Sequence, residues 1–169
     1  LLWGNHDVQY RFFDPDRPDI KYGCSGFKFE VASMAKMVFE TNKKLFQATY
    51  QIGDHLWSHA GMSNRSYDIH FKKFSISNNQ LSDELNRLFH IEQSELFAVG
   101  MDRGGRDPVG GIFWIDKQEV MADPLDGFHQ IVGHSQIDKI TTVQHIPECP
   151  VTFVDVMDTF FIKEIIVDD

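Results

Sequence analysis

An α/β fold is predicted for this chain, on three observations. Apolar residues recur at helical spacing in two stretches of the first half, near 30–46 and 78–89. Short apolar runs cut by Gly, Pro and Asp crowd the C-terminal third, where they read as strands. The length, 169 residues, fits one domain that buries a substantial core, so residues 1–169 are read as a single unit.

Leu1 to Trp3 read as the end of a buried strand, which Gly4 breaks. With no neighbour upstream for such a strand, the opening reads as a fragment missing its N-terminal part. Residues 10–27 are rich in Asp, Pro, Gly and Arg and read as a loop. Val31, Met34, Ala35, Val38, Phe39, Leu45 and Phe46 mark a helix from Glu30 to Phe46. Ala48 to Ile52 and His55 to His59 flank Gly53-Asp54, a hairpin signal. The stretch 61–77 fits neither period. Leu81, Leu85, Leu88 and Phe89 fall on one face of a helix over Asn78–Phe89, with Ser82-Asp83-Glu84 suited to its first turn. Residues 100–111 form a glycine-rich loop, followed by a short apolar run from Ile112 to Ile115. Phe128–Val132, Lys139–His145, Val151–Val156 and Thr159–Val167 read as four closing strands, a run of antiparallel strands after an α/β start.

Charge and composition exclude several functions. Acidic residues outnumber basic ones, 25 to 16, for a formal charge of −9. General affinity for a nucleic-acid backbone needs the opposite balance, so nucleic acid is not an expected partner. No apolar run reaches the roughly 20 residues of a membrane helix, and no basic-then-apolar signal segment opens the chain. Cys24 and Cys149 make neither a disulfide framework nor a zinc knuckle, so a cytoplasmic location is expected. No His partner for Cys24 is legible nearby, which argues against a catalytic thiol.

Three stretches share one pattern, in which a strand ends and metal-competent side chains follow at once. They are Gly4-Asn5-His6-Asp7, His59-Ala60-Gly61 and Gly133-His134-Ser135. Neutral imidazole and an amide oxygen both ligate divalent cations. The C-terminal edge of a strand is where α/β sheets collect reactive groups. Arg103 and Arg106 lie in the glycine-rich loop and offer guanidinium groups suited to phosphate. Gly53-Asp54-His55 and Asp102-Arg103-Gly104 echo metal motifs but lack their spacing. His55, His70, His90, His129 and His145 sit in no matching motif and read as surface or structural residues.

On those three stretches the chain resembles the calcineurin-like metallophosphoesterases, in particular the serine/threonine phosphoprotein-phosphatase-like branch of bacteria and phages. The resemblance implies Asn5, His59 and His134 as metal ligands, His6 as a catalytic acid and Asp7 as its carboxylate partner. It places a phosphate-binding arginine in the interval that holds Arg103 and Arg106. Gln136 stands where the wider family has a second His in Gly-His-x-His, a feature that this branch also lacks. Two family motifs, Gly-Asp-x-His-Gly and Gly-Asp-x-x-Asp-Arg or Asn, have no counterpart in these residues.

The resemblance further implies a four-layer α/β/β/α sandwich, here incomplete and lacking its N-terminal strands. It implies a phosphatase with two divalent metal ions in the complete protein, Mn²⁺ first, with Fe, Zn or Mg as alternatives. A hydroxide bridging the metals would attack phosphorus, and His6 would protonate the leaving group. The substrate would be a phosphorylated protein or a small phosphoester. The competing expectation is a non-catalytic domain that binds at most one metal, weakly. Three neutral ligands without a bridging carboxylate hold a hard cation poorly, so the isolated chain is expected to turn over little substrate.

Overall fold

The structure is a computed structural model and describes residues 1–16 and 24–156. A mixed five-stranded sheet organises the chain, with strand order β1-β2-β3-β5-β4. The strands are β1 (Thr49–Ile52), β2 (His55–Ser58), β3 (His129–Val132), β4 (Thr141–Val143) and β5 (Val151–Phe153). The helices are α1 (Asn5–Arg11), α2 (Phe29–Asn42), α3 (Asn64–Ser66), α4 (Leu81–His90) and α5 (Lys117–Ala122).

The predicted hairpin forms as β1 and β2 around Gly53-Asp54. The closing strands differ from expectation. β3 runs parallel to β2, and β5 runs parallel to β3; β4 is the strand that lies antiparallel to β5. A long crossover, residues 59–128, separates β2 from β3. A crossover that long returns the chain to the same end of the sheet, which makes the pair parallel. The predicted strand Thr159–Val167 lies outside the described residues.

Leu81, Leu85, Leu88 and Phe89 are all buried on one face of α4, which packs against β1. α2 ends at Asn42, short of the predicted Phe46, and a single 3-10 turn carries the chain to Leu45. Met34, Met37 and Val38 remain exposed on it. Residues 61–77, which fit neither period, fold as α3, a wide π turn and a 3-10 turn.

Besides α3, two helices are absent from the sequence reading. α1 offers one apolar residue, Val8, to a helical stripe; its first turn is held by Asp7, whose carboxylate accepts the Gly4 N–H at 2.8 Å. α5 is short and is fixed by its Asp116 cap, which accepts the Gln118 N–H at 2.9 Å. Local polar bonds rather than a repeating apolar period start both helices.

The core has two parts. The larger is aromatic: Trp3 stacks on Phe46 and Phe89, and Phe97 stacks on Phe113 with ring planes 8° apart. Each such side chain contributes roughly 2 kcal/mol on burial. The smaller part joins Ala60, Ile115, Val120, Val132, Val151 and Phe153. Val132 is the last residue of β3, and Ala60 lies two residues past the end of β2. Among the described residues no helix is long and apolar enough to cross a membrane.

Candidate metal centre

β2 and β3 end side by side, and each hands the chain to a histidine. His59 follows Ser58, and His134 follows Gly133, whose N–H donates to the His59 carbonyl at 2.9 Å. This bond extends the parallel ladder one step past the strands and fixes the spacing of the two backbones. The two rings meet edge to face, with centroids 4.8 Å apart. Asn5 enters from the first turn of α1 and is 3% exposed.

Three potential donor atoms converge. His59 Nε2 lies 2.8 Å from Asn5 Oδ1 and 3.0 Å from His134 Nδ1. A proton on His59 Nε2 serves both neighbours in the metal-free protein. Adjacent ligands at right angles around an octahedral cation, each bonded at ~2.1 Å, are themselves ~3.0 Å apart. The spacing therefore fits one corner of a coordination sphere. The donor set is neutral: among the described residues no three His, Cys, Asp or Glu side chains cluster to hold a metal.

Several features hold the rings in place at a local cost. Gly4 packs against the His59 ring, where a Cβ would sit 3.1 Å from Cε1. Gly61 turns the chain after His59-Ala60 at φ +104°, and a Cβ there would press on Val120 and Val132. His134 has φ +62°, an unfavourable backbone state for a side chain of this size. Its Nε2 is buried without a hydrogen-bond partner among the described residues. Burial, then the neighbouring His134, His6 and Arg103 charges, push His59 down to about 3. Burial first, then Arg103, push His134 down to about 4 against an opposing effect of Asp116. Both rings are thus neutral at pH 7, the form that ligates cations.

The three residues open into a cleft of about 610 Å³. His6 lines it and is exposed. Its Nδ1 lies 3.4 Å from Cys24 Sγ, so Cys24 does have a histidine partner, contrary to the sequence reading. That partner joins the chain from 18 residues away and carries no local signature. Burial, followed by the Asp7 charge, raises the Cys24 pKa, which leaves it a thiol rather than a thiolate. Asp7 turns to the Gly4 N–H, and burial raises its pKa. Its carboxylate caps the start of α1, and the backbone bond and the neighbouring His6 oppose the effect of burial on it.

Arg103 also lines the cleft, whereas Arg106 on the same loop is exposed and does not. The Arg103 Nε pairs with Asp116 Oδ2 at 2.8 Å, and its Nη2 donates to Ser135 Oγ at 2.7 Å. The sequence reading did not name Asp116, and it quoted Ser135 only as part of the Gly133-His134-Ser135 stretch without giving it a role. Asp116 carried a helix-cap signature, with Glu119 three residues on, and Ser135 adjoined a named histidine.

The remaining histidines are placed structurally. His70 is buried and its Nε2 meets the Val109 carbonyl at 3.0 Å. His90 and His145 are exposed. His55 pairs with Asp54, and His129 meets Thr152.

No protein-family model matches the chain, and no curated protein matches it. Among solved structures it is similar to the crystal structure of a mutant cold-active protein tyrosine phosphatase, with a TM-score of 0.47 and 16% identity. The match covers 93% of this chain and 49% of that one, so the chain spans about half the length of its match.

Proposed function

We propose that the cleft is part of a metal-dependent phosphoester hydrolase of the calcineurin-like type, with Asn5, His59 and His134 as ligands of one cation. The convergence of three donor atoms at 2.8 and 3.0 Å carries this reading. The complete centre would be dinuclear and would take its other ligands from motifs outside these residues. It would sit in a four-layer sandwich, with a second sheet against the one described. The metals, Mn²⁺ foremost, would make water nucleophilic near neutral pH and offset the charge of the phosphoryl oxygens.

The chain's own groups supply the rest. Arg103 offers a guanidinium to the phosphoryl oxygens on a chain whose net charge would otherwise repel them. Its Nη1 and the second proton of Nη2 have no protein acceptor among the described residues. His6 stands exposed at the cleft with one nitrogen against Cys24, leaving Nε2 to protonate the leaving oxygen. The substrate class is a phosphorylated protein or a small phosphoester.

The neutral donor set favours a second reading, in which this chain alone binds one cation weakly and catalyses nothing. Manganese titration and turnover of an aryl phosphate separate the two. In a version that carries the two aspartate motifs, His6→Ala is expected to lower turnover roughly 10²–10⁴-fold while Mn²⁺ affinity stays constant. Unchanged turnover removes His6 from the mechanism. Robust metal-dependent turnover by these 169 residues alone would show that the ligand set is read wrongly.

A further inference from the structure

We propose that Asp116 and Ser135 are positioning residues that hold the Arg103 guanidinium in the orientation that receives phosphate. This rests on the phosphoester-hydrolase reading and extends it to residues that contact neither the metal nor the substrate.

The three residues come from three separately braced elements. Arg103 ends a 3-10 turn, Met101–Arg103, inside a cross-bonded loop. Met101 N–H donates to Asp107 O at 3.1 Å, Asp107 N–H to Val99 O at 3.2 Å and Gly105 N–H to Gly100 O at 3.0 Å. Asp116 is anchored as the cap of α5, one residue after the fully buried Ile115. Ser135 is locked by its N–H to the Gly133 carbonyl at 2.6 Å, immediately beyond His134. The guanidinium joins all three. Its Nε faces Asp116, and one proton of Nη2 is taken by Ser135.

A long arginine side chain alone retains much rotamer freedom, which substrate binding would have to remove. The Asp116 carboxylate, as an ion-pair partner beside Nε, and Ser135 Oγ, as the acceptor of an Nη2 hydrogen bond, remove it in advance and leave the other edge of the fork for a phosphoryl group. The pair is partly shielded: the side chains of Arg103 and Asp116 are 27% and 18% exposed.

Charge and orientation make opposite predictions for Asp116. A negative group beside an anion site repels the anion, so if its charge were all that mattered, its removal would tighten phosphate binding. If Asp116 positions Arg103, removal weakens it.

The test is titration of inorganic phosphate, with and without Mn²⁺, by calorimetry on the 169-residue protein, with Mn²⁺ affinity measured separately. Asp116→Ala is expected to weaken phosphate binding roughly tenfold, and Ser135→Ala severalfold, with Mn²⁺ affinity unchanged. Asp116→Asn keeps an acceptor oxygen and is expected to restore most of the affinity lost in Asp116→Ala. Because Asp116 also caps α5, Ser135→Ala provides the arm that leaves the cap intact. Asp68→Asn, on the exposed Asp68–Lys72 pair, controls for the change in net charge.

Phosphate binding equal to or tighter than wild type in both alanine variants overturns the proposal and leaves the hydrolase reading standing. A parallel loss of Mn²⁺ affinity also overturns it, because the residues would then be supporting the fold. A wild-type protein that binds neither Mn²⁺ nor phosphate overturns both.

Discussion

The same two strands carry a histidine pair at each end. At their start, His55 faces His129 across the parallel register, with ring centroids 4.8 Å apart. Beyond their end, His59 faces His134 at the same 4.8 Å. The chemistry differs because the surroundings differ. Asp54 Oδ1 lies 2.7 Å from His55 Nδ1, and Thr152 Oγ1 lies 2.8 Å from His129 Nε2. Each ring in that pair has its own partner. In the other pair the ring nitrogens are turned on one another and on Asn5, and one nitrogen of His134 is left buried and unpaired among the described residues. Ring proximity alone therefore does not make a ligand site. The pair at the carboxyl ends of the parallel strands differs in that its polar atoms converge where the chain turns away and a crevice opens, and on that difference the ligand proposal rests.

The sharpest contrast is in cation binding. His59→Ala is expected to weaken Mn²⁺ binding by more than roughly 100-fold, beyond the loss typical of a supporting partner, while His55→Ala leaves it unaltered. Calorimetry on both variants checks this, and equal effects would erase the distinction between the two ends.

Acid stability comes next. His59 and His134 are held at about 3 and about 4, below the ordinary 6.5. The unfolded chain therefore takes up protons first as the pH falls. Stability is highest above pH 6.5 and declines below it, by up to roughly 1.4 kcal/mol per pH unit for each ring, until the folded values are reached. Urea unfolding at pH 7, 6 and 5 should show the decline, and His59→Gln should make it shallower. A slope unchanged by that substitution would mean the acid sensitivity arises elsewhere.

Gly4→Ala should act more gently. The backbone there is extended and tolerates alanine, but the added methyl meets the His59 ring and the Asp7 carboxylate. A cost of roughly 1–3 kcal/mol is expected, accompanied by weaker Mn²⁺ binding as the ring shifts. The smallest effect is that of His55→Ala on stability, about 0.5–1 kcal/mol, because its partner Asp54 is exposed and can return to water. Thermal melts rank the two.

Much of the fold was legible because its signals are local. The apolar face of α4 and the Gly53-Asp54 turn each lie within a dozen residues, and both form where predicted. α1 and α5 were missed for the converse reason: one buried apolar residue in each, Val8 and Val120, leaves little period to see, and single carboxylates start them. The parallel pairing of β3 was missed because strand sequence carries alternation but not direction. In the site, Asn5, His6, His59, His134 and Arg103 were named in advance and line one cleft. Asp7 and Arg106 were named with them; one turns to cap a helix and the other faces solvent. Cys24, Asp116 and Ser135 joined the site through contacts that no spacing encodes.

The sequence by itself determined that two strands run out into His59 and into Gly133-His134, that the stretch around Leu81–Phe89 coils and Gly53-Asp54 turns, and that the chain carries an excess of negative charge. Those properties depend on nearest neighbours and simple sums. Only the tertiary structure decided that positions 5, 59 and 134 meet at one point, and that Arg103 is clamped by residues 13 and 32 positions away. The sheet register and the buried core under Ala60 and Val132 bring those groups together. Such long-range closure is fixed by packing, which no local pattern records.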